Sequence, residues 1–159
     1  MSKHFVVMTI NGEEKGFYVD STDRLIDVLR ERFGLKSVKE GCGTGDCGLC
    51  AVLLDGRLVN SCLVLAPQCG GKAVVTLEGL LQDPIMANLQ AKFLKHNAAQ
   101  CGFCTPAMLL AAKQILDRLP TPTREEVASA ISGVLCRCTG YYPIIEAILD
   151  ASREAEAAP

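Results

Sequence analysis

Gly41-Cys42-Gly43-Thr44-Gly45-Asp46-Cys47-Gly48-Leu49-Cys50 is the stretch that decides how this chain is read. It carries three cysteines on one loop, spaced by glycines. The glycines have a physical purpose. A loop that wraps an anionic thiolate centre must turn its backbone N–H groups toward the sulfurs, with several residues at positive φ. Any side chain larger than hydrogen would crowd that approach. A fourth sulfur follows from hairpin geometry. Asp55-Gly56 is a two-residue turn signal that pairs Leu54 with Arg57, and the register then runs back to pair Cys50 with Ser61. Cys62 falls opposite Leu49, beside Cys50. Cys42, Cys47, Cys50 and Cys62 are therefore expected at one metal centre.

The C-x4-C-x2-C spacing of Cys42, Cys47 and Cys50 is that of plant-type [2Fe–2S] ferredoxins. The alternative, structural zinc, usually takes two short ligand pairs rather than three cysteines on one glycine-rich loop. A second set follows: Cys101-Gly102-Phe103-Cys104, then Cys136-Arg137-Cys138. Each half stands just before a predicted helix, where free N–H groups and the positive end of the dipole favour thiolates. Spacing alone leaves iron–sulfur, zinc and a redox dithiol open here, because C-x2-C is common to all three. Two sets of four thiolates in so short a chain suggest electron transfer rather than structural stapling. The first set, on a loop of Gly, Thr and Asp, is expected near the surface; the second is expected within an apolar helical domain.

Composition narrows the classes. A chain of 159 residues and 17.0 kDa fits one domain or two small ones. The net charge of -2 and pI near 5.7 give no electrostatic case for nucleic acid or an anionic membrane. No apolar run approaches the roughly 20 residues that span a bilayer. The apolar stretch at Met1–Asn11 is too short for a signal peptide, so a cytoplasmic protein without membrane insertion is expected. An odd count of 9 cysteines and the awkward Cys-Arg-Cys pair argue against disulfides. Cys69 is the leftover, expected to be a free thiol. Apolar residues make up 49% before the 14 glycines are added, above the usual share once they are. The excess reads either as surface facing another subunit or as an alanine-rich helical core. His4 and His96 read as surface or helix residues. The carboxylates show no paired arrangement for acid–base work, and no catalytic residue for substrate is found.

Along the chain, His4–Ile10 and Lys15–Val19 read as strands around an Asn11-Gly12 hairpin turn. Thr22 precedes an apolar face at helical spacing, Leu25 to Phe33, which Gly34 ends. Ala51–Leu54 and Leu58–Val59 form a second hairpin, and Ala73–Leu77 a last strand. From Pro84 the pattern is helical: Pro84–Asn97, Pro106–Leu119, Arg124–Ile131 and Tyr142 to about Ala155. Thr105 is expected to cap the second of these and Thr123 to open a capping box on the third. An Ala/Glu tail should fray. The fold expected is α+β, with residues 1–80 as one domain and 81–159 as a helical one.

Three motifs in order, Cys42–Cys50, Gln100-Cys101-Gly102-Phe103-Cys104-Thr105-Pro106 and Leu135-Cys136-Arg137-Cys138-Thr139-Gly140-Tyr141, resemble the small iron–sulfur subunit of the molybdenum hydroxylases, the xanthine oxidase family. The resemblance covers about residues 4–150. It implies a β-grasp ferredoxin-like domain followed by a four-helix bundle, each holding one [2Fe–2S] cluster, the second on Cys101, Cys104, Cys136 and Cys138. It implies a large partner subunit carrying molybdopterin and usually a medium one carrying FAD. Electrons would pass from the molybdenum site through the helical-domain cluster to the first cluster and on to the flavin, with no substrate chemistry in this chain. Gln100, otherwise a surface or capping residue, and Cys138 would lie near the pterin. Ala107, Val134 and Tyr142 stand where the family often has Gly, Asn and Gln; none is a metal ligand. A free ferredoxin-like shuttle and a zinc-stabilised interaction module are the competing readings. Near-balanced charge and two cysteine sets favour a permanent complex over a shuttle.

Overall fold

Period-two burial shapes the N-terminal sheet. The computed structural model describes the backbone of residues 2–157 and the side chains of residues 2–153. In β1 (Lys3–Ile10), Val6, Met8 and Ile10 are buried, and in β2 (Glu13–Asp20), Phe17 and Val19. Alternate side chains of a strand point to opposite faces, so these five share one face of the sheet. The two strands pair antiparallel across Asn11 (φ 51°) and Gly12 (φ 84°), the positive-φ pair that a tight hairpin turn requires. Asp55 (φ 49°) and Gly56 (φ 76°) do the same for β3 (Ala51–Leu54) and β4 (Arg57–Asn60).

The sheet is mixed, in the order β2-β1-β5-β3-β4. β5 (Ala73–Val75), last in the chain, lies between the two hairpins, parallel to β1 and antiparallel to β3. It is shorter than expected, because Leu77–Leu80 curls into a 3-10 turn. The predicted helix from Leu25 begins as the short α1 (Leu25–Asp27) but widens into a π-helical turn, Val28–Arg32, closed by the Phe33 N–H on the Val28 carbonyl. That segment buries Leu25, Ile26, Val28 and Leu29 in the core with the inner face of the sheet. Phe33 meets Phe17 edge-on at 5.1 Å.

The chain divides into two compact units, Met1–Leu80 and Leu81–Pro159. The second contains α2 (Pro84–Lys95), α3 (Thr105–Arg118), α4 (Arg124–Ile131) and α5 (Tyr142–Ala157). α2 packs on α3 and α5, and α4 packs on the same two. Met86, Leu89, Phe93, Met108, Leu110, Ile131, Ile144 and Ile148 are fully buried; burying an aliphatic or aromatic side chain of this size contributes about 1.5–3 kcal/mol. The capping box on α4 forms as the sequence predicts, Thr123 and Glu126 each satisfying the other's backbone N–H. α3 differs. Cys104 stands at its cap position and Thr105 is its first residue, and no side chain caps the helix entrance. His96, at the end of α2, and Lys95 both lie 2.8 Å from Asp150 of α5 and hold that carboxyl well below the usual range. The tail expected to fray is helical in its backbone to Ala157, and its side chains lie outside the described residues. Among the described residues, no helix is long and apolar enough to cross a membrane.

Candidate metal centres

The hairpin register runs as the turn spacing predicts as far as Ser61. Leu54 pairs with Arg57 and Ala51 with Asn60, and the Ser61 N–H reaches the Cys50 carbonyl at 3.2 Å. There the ladder stops. Cys62 is carried by a 3-10 turn, Ser61–Leu63, rather than by strand continuing opposite Leu49. The turn leaves the Cys62 thiol in hydrogen-bonding reach of Cys50. Cys42 and Cys47 form the other pair, each with its N–H on the other's sulfur, at 3.3 and 3.4 Å. The Thr44 N–H adds a further donor to Cys42 Sγ at 3.3 Å.

The loop that does this has no room for a side chain at Gly41 or Gly45. Gly45 sits at φ 89°, and a Cβ there would come within 2.4 Å of Leu63 Cδ1. At Gly41 a Cβ would stand 2.9 Å from Cys47 Sγ. Sequence reasoning missed the outer supports. Asn60 Nδ2 donates to the Gly45 carbonyl at 2.8 Å, and Arg24 grips Glu40 at 2.7 Å just before the loop. Asn60 ends β4, one residue past the predicted Leu58–Val59, and nothing local says which carbonyl it will reach.

In the second unit the pairing crosses between the two motifs. Cys101 meets Cys138, and Cys104 meets Cys136. Thr139 Oγ1 lies 3.2 Å from Cys136 Sγ. Cys104 is buried and Cys136 half-buried, but Cys101 and Cys138 are exposed. The first set has only Cys42 exposed, with Cys47, Cys50 and Cys62 buried. This reverses the expectation that the helical set would be the deeper one. Cys101, Cys136 and Cys138 lie in loops and Cys104 at the cap of α3, whereas the first set leans on the sheet core, which includes Cys50 and Cys62. Gln100 is exposed beside Cys101. Cys69 is fully buried and free, its thiol pushed up by burial and set 3.8 Å from the Leu65 carbonyl.

The thiols of each set are driven apart in acidity. The Thr44 hydroxyl, with the N–H groups of Thr44 and Cys47, lowers Cys42 to about 6. Burial, then the neighbouring Cys50, pushes Cys62 up to about 11. Cys104 is pushed up to about 12 by burial and by Cys136, and Cys138 is raised by Cys101. Burial would raise Cys136 too, but hydrogen bonds from Thr139 outweigh it and hold the thiol below its usual value. Four such sulfurs become thiolates together only if positive charge lies among them. Among the described residues, no three His, Cys, Asp or Glu side chains are grouped to hold a single metal ion; the sulfurs come in pairs. Two thiolate pairs, with backbone N–H groups turned toward sulfur, fit a binuclear iron–sulfur centre in which each iron takes two thiolates.

Comparison with known proteins agrees. Residues 8–71 match the model of a 2Fe-2S iron-sulfur cluster binding domain, and residues 76–149 that of a [2Fe-2S] binding domain. The nicotinate dehydrogenase small FeS subunit of Eubacterium barkeri is 47% identical over 148 residues, 93% of this chain and 94% of that one. The nicotine 6-hydroxylase small subunit of Paenarthrobacter nicotinovorans is 47% identical over 142 residues, 89% and 86% of the two. A chain of quinoline 2-oxidoreductase from Pseudomonas putida 86 superposes with a TM-score of 0.91 at 47% identity, covering 98% of this chain and 96% of that chain.

Proposed function

Because this chain belongs to the small iron–sulfur subunits of the molybdenum hydroxylases, we propose that it carries electrons from a molybdopterin centre in a large partner subunit, through two [2Fe–2S] clusters, to FAD in a medium partner subunit. In this reading the first unit is a β-grasp ferredoxin-like domain and the second a four-helix bundle, a reading supported by the mixed sheet and by the way each long helix packs on two others. The observation that carries the proposal is the gathering of eight sulfurs into four pairs, two in each unit.

Each cluster supplies a one-electron acceptor and donor; everything else is done by the chain. Cys42, Cys47, Cys50 and Cys62 would hold the first cluster, and Cys101, Cys104, Cys136 and Cys138 the second. The N–H groups of Cys42, Thr44 and Cys47 stabilise negative charge on sulfur. Exposed sulfurs, Cys42 in one unit and Cys101 and Cys138 in the other, leave each centre an edge open to exchange electrons. Gln100 and Cys138 are proposed to face the pterin. Thiolate-bound iron suits a reducing compartment, so the protein is proposed to work in the cytoplasm.

Iron and acid-labile sulfide analysis of anaerobically purified protein tests the assignment. Four of each per chain are expected, with no stoichiometric zinc and two paramagnetic resonance signals on reduction. Two irons per chain, or one equivalent of zinc, would overturn it.

A further inference from the structure

We propose that the Thr139 hydroxyl sets the reduction potential of the second unit's cluster by donating to the Cys136 sulfur, and that Tyr141 is the positioning residue that keeps it there. This rests on the reading of Cys136 as a cluster ligand. Three contacts close the segment on itself. Thr139 Oγ1 lies 3.2 Å from Cys136 Sγ. The Tyr141 backbone N–H donates to the same Thr139 oxygen at 3.1 Å. The Cys136 N–H donates to the Tyr141 phenolic oxygen at 3.0 Å. One tyrosine thus grips both ends of the loop, by its main chain at Thr139 and by its side chain at Cys136.

The backbone shows that this grip has a cost. Tyr141 lies at φ 67° and Gly140 at φ 63°. A bulky residue in the left-handed region is strained and persists only where its surroundings over-determine it. A loop built only to connect α4 and α5 would have no use for that strain.

The direction of the Thr139 bond follows from hydrogen counting. A metal-bound thiolate has no hydrogen to give, and the Thr139 oxygen already accepts the Tyr141 N–H. The hydroxyl hydrogen is therefore free for Cys136 Sγ, as a bond to a charged acceptor. An electron added to the cluster raises the negative charge on its ligand sulfurs. The donor stabilises the reduced state more than the oxidised one, and so raises the potential.

The test is a redox titration of the cluster-loaded protein in its complex, with the two clusters followed separately by paramagnetic resonance. Thr139→Val, which keeps the shape and removes the hydroxyl, should shift the second cluster's one-electron equilibrium toward the oxidised state about tenfold, ~59 mV. The first cluster should not move, and Thr139→Ser should restore the native value. An unshifted second cluster in Thr139→Val, or an equal shift in Thr139→Ser, overturns the proposal while leaving the ligand assignment standing. Thr139→Ala guards against a folding artefact: if Val and Ala both lose the cluster and Ser keeps it, Thr139 is a structural support and the potential-setting role is rejected. Cys136→Ala separates the two readings, since two intact signals in that variant would remove Cys136 from the ligand set altogether.

Discussion

At the scale of single residues, Cys62 and Cys69 show how little the residue type decides. Both are buried cysteines within one unit. Cys62 lies against Cys50, whereas the Cys69 thiol is set against the Leu65 carbonyl at 3.8 Å. A serine at position 69 can make the same bond as the thiol, so Cys69→Ser is expected to keep both paramagnetic signals. Cys62→Ser should lose or degrade the first signal alone, because a hydroxyl is a poor substitute for a thiolate on iron. The opposite pattern in the two reduced variants would mean that the fourth ligand is Cys69. Residues outside the cysteine sets were less legible. Asn60, Leu63 and Tyr141 support the loops through contacts with residues 15, 18 and 5 positions away, respectively, and no local pattern announces such a partner.

At the scale of elements, the 3-10 turn Leu77–Leu80 fastens the approach to the cysteine loop. Glu78 accepts from the Ser37 N–H at 2.9 Å, the Ser37 hydroxyl at 2.5 Å and the Thr76 hydroxyl at 2.6 Å. Burial alone would raise this carboxyl, but the bonds from Ser37 and Thr76 outweigh it and lower its pKa. A carboxyl whose folded value is depressed contributes stability above its unfolded value of about 4.3, and that contribution is lost as pH falls through the lower folded value. Thermal stability of the wild type should therefore fall below about pH 4. Glu78→Gln should cost about 1–3 kcal/mol at neutral pH and show a flatter acid limb. An acid limb identical to that of the wild type would remove Glu78 from the account. Ala73 to Leu77 reads as a strand because it is apolar except for Thr76; pairing with β1 ends at Val74 and with β3 at Val75, and Glu78 bonding back to Ser37 accompanies the curl that follows.

At the scale of the whole molecule, the division of labour between the two centres can be tested as a sequence of events. In the assembled complex, loss of the first cluster through Cys47→Ser should leave the second cluster reducible by substrate and bring flavin reduction to background. Substituting Gln100 should instead slow reduction of both clusters, because electrons are proposed to enter beside it. Flavin reduction at the normal rate without the first cluster would break the proposed order. The chain with its clusters but without partners should turn over no substrate, since it shows no nucleophile–base pair and no flavin or nicotinamide fingerprint in its sequence.

What the sequence determined by itself was local. Two hairpin turns, the α4 capping box and the spacing of eight cysteines each depend on residues a few positions apart, where backbone geometry leaves few choices. Tertiary structure alone decided which sulfurs meet: Cys101 with Cys138 and Cys104 with Cys136, across more than a whole helix of intervening chain. It also decided that β5 enters between two hairpins formed earlier in the chain, that Cys62 arrives on a 3-10 turn, and that Tyr141 accepts a left-handed backbone. Each of these outcomes depends on contacts between residues distant in sequence, or on backbone strain that local preference opposes, and those terms exist only once the chain has closed around them.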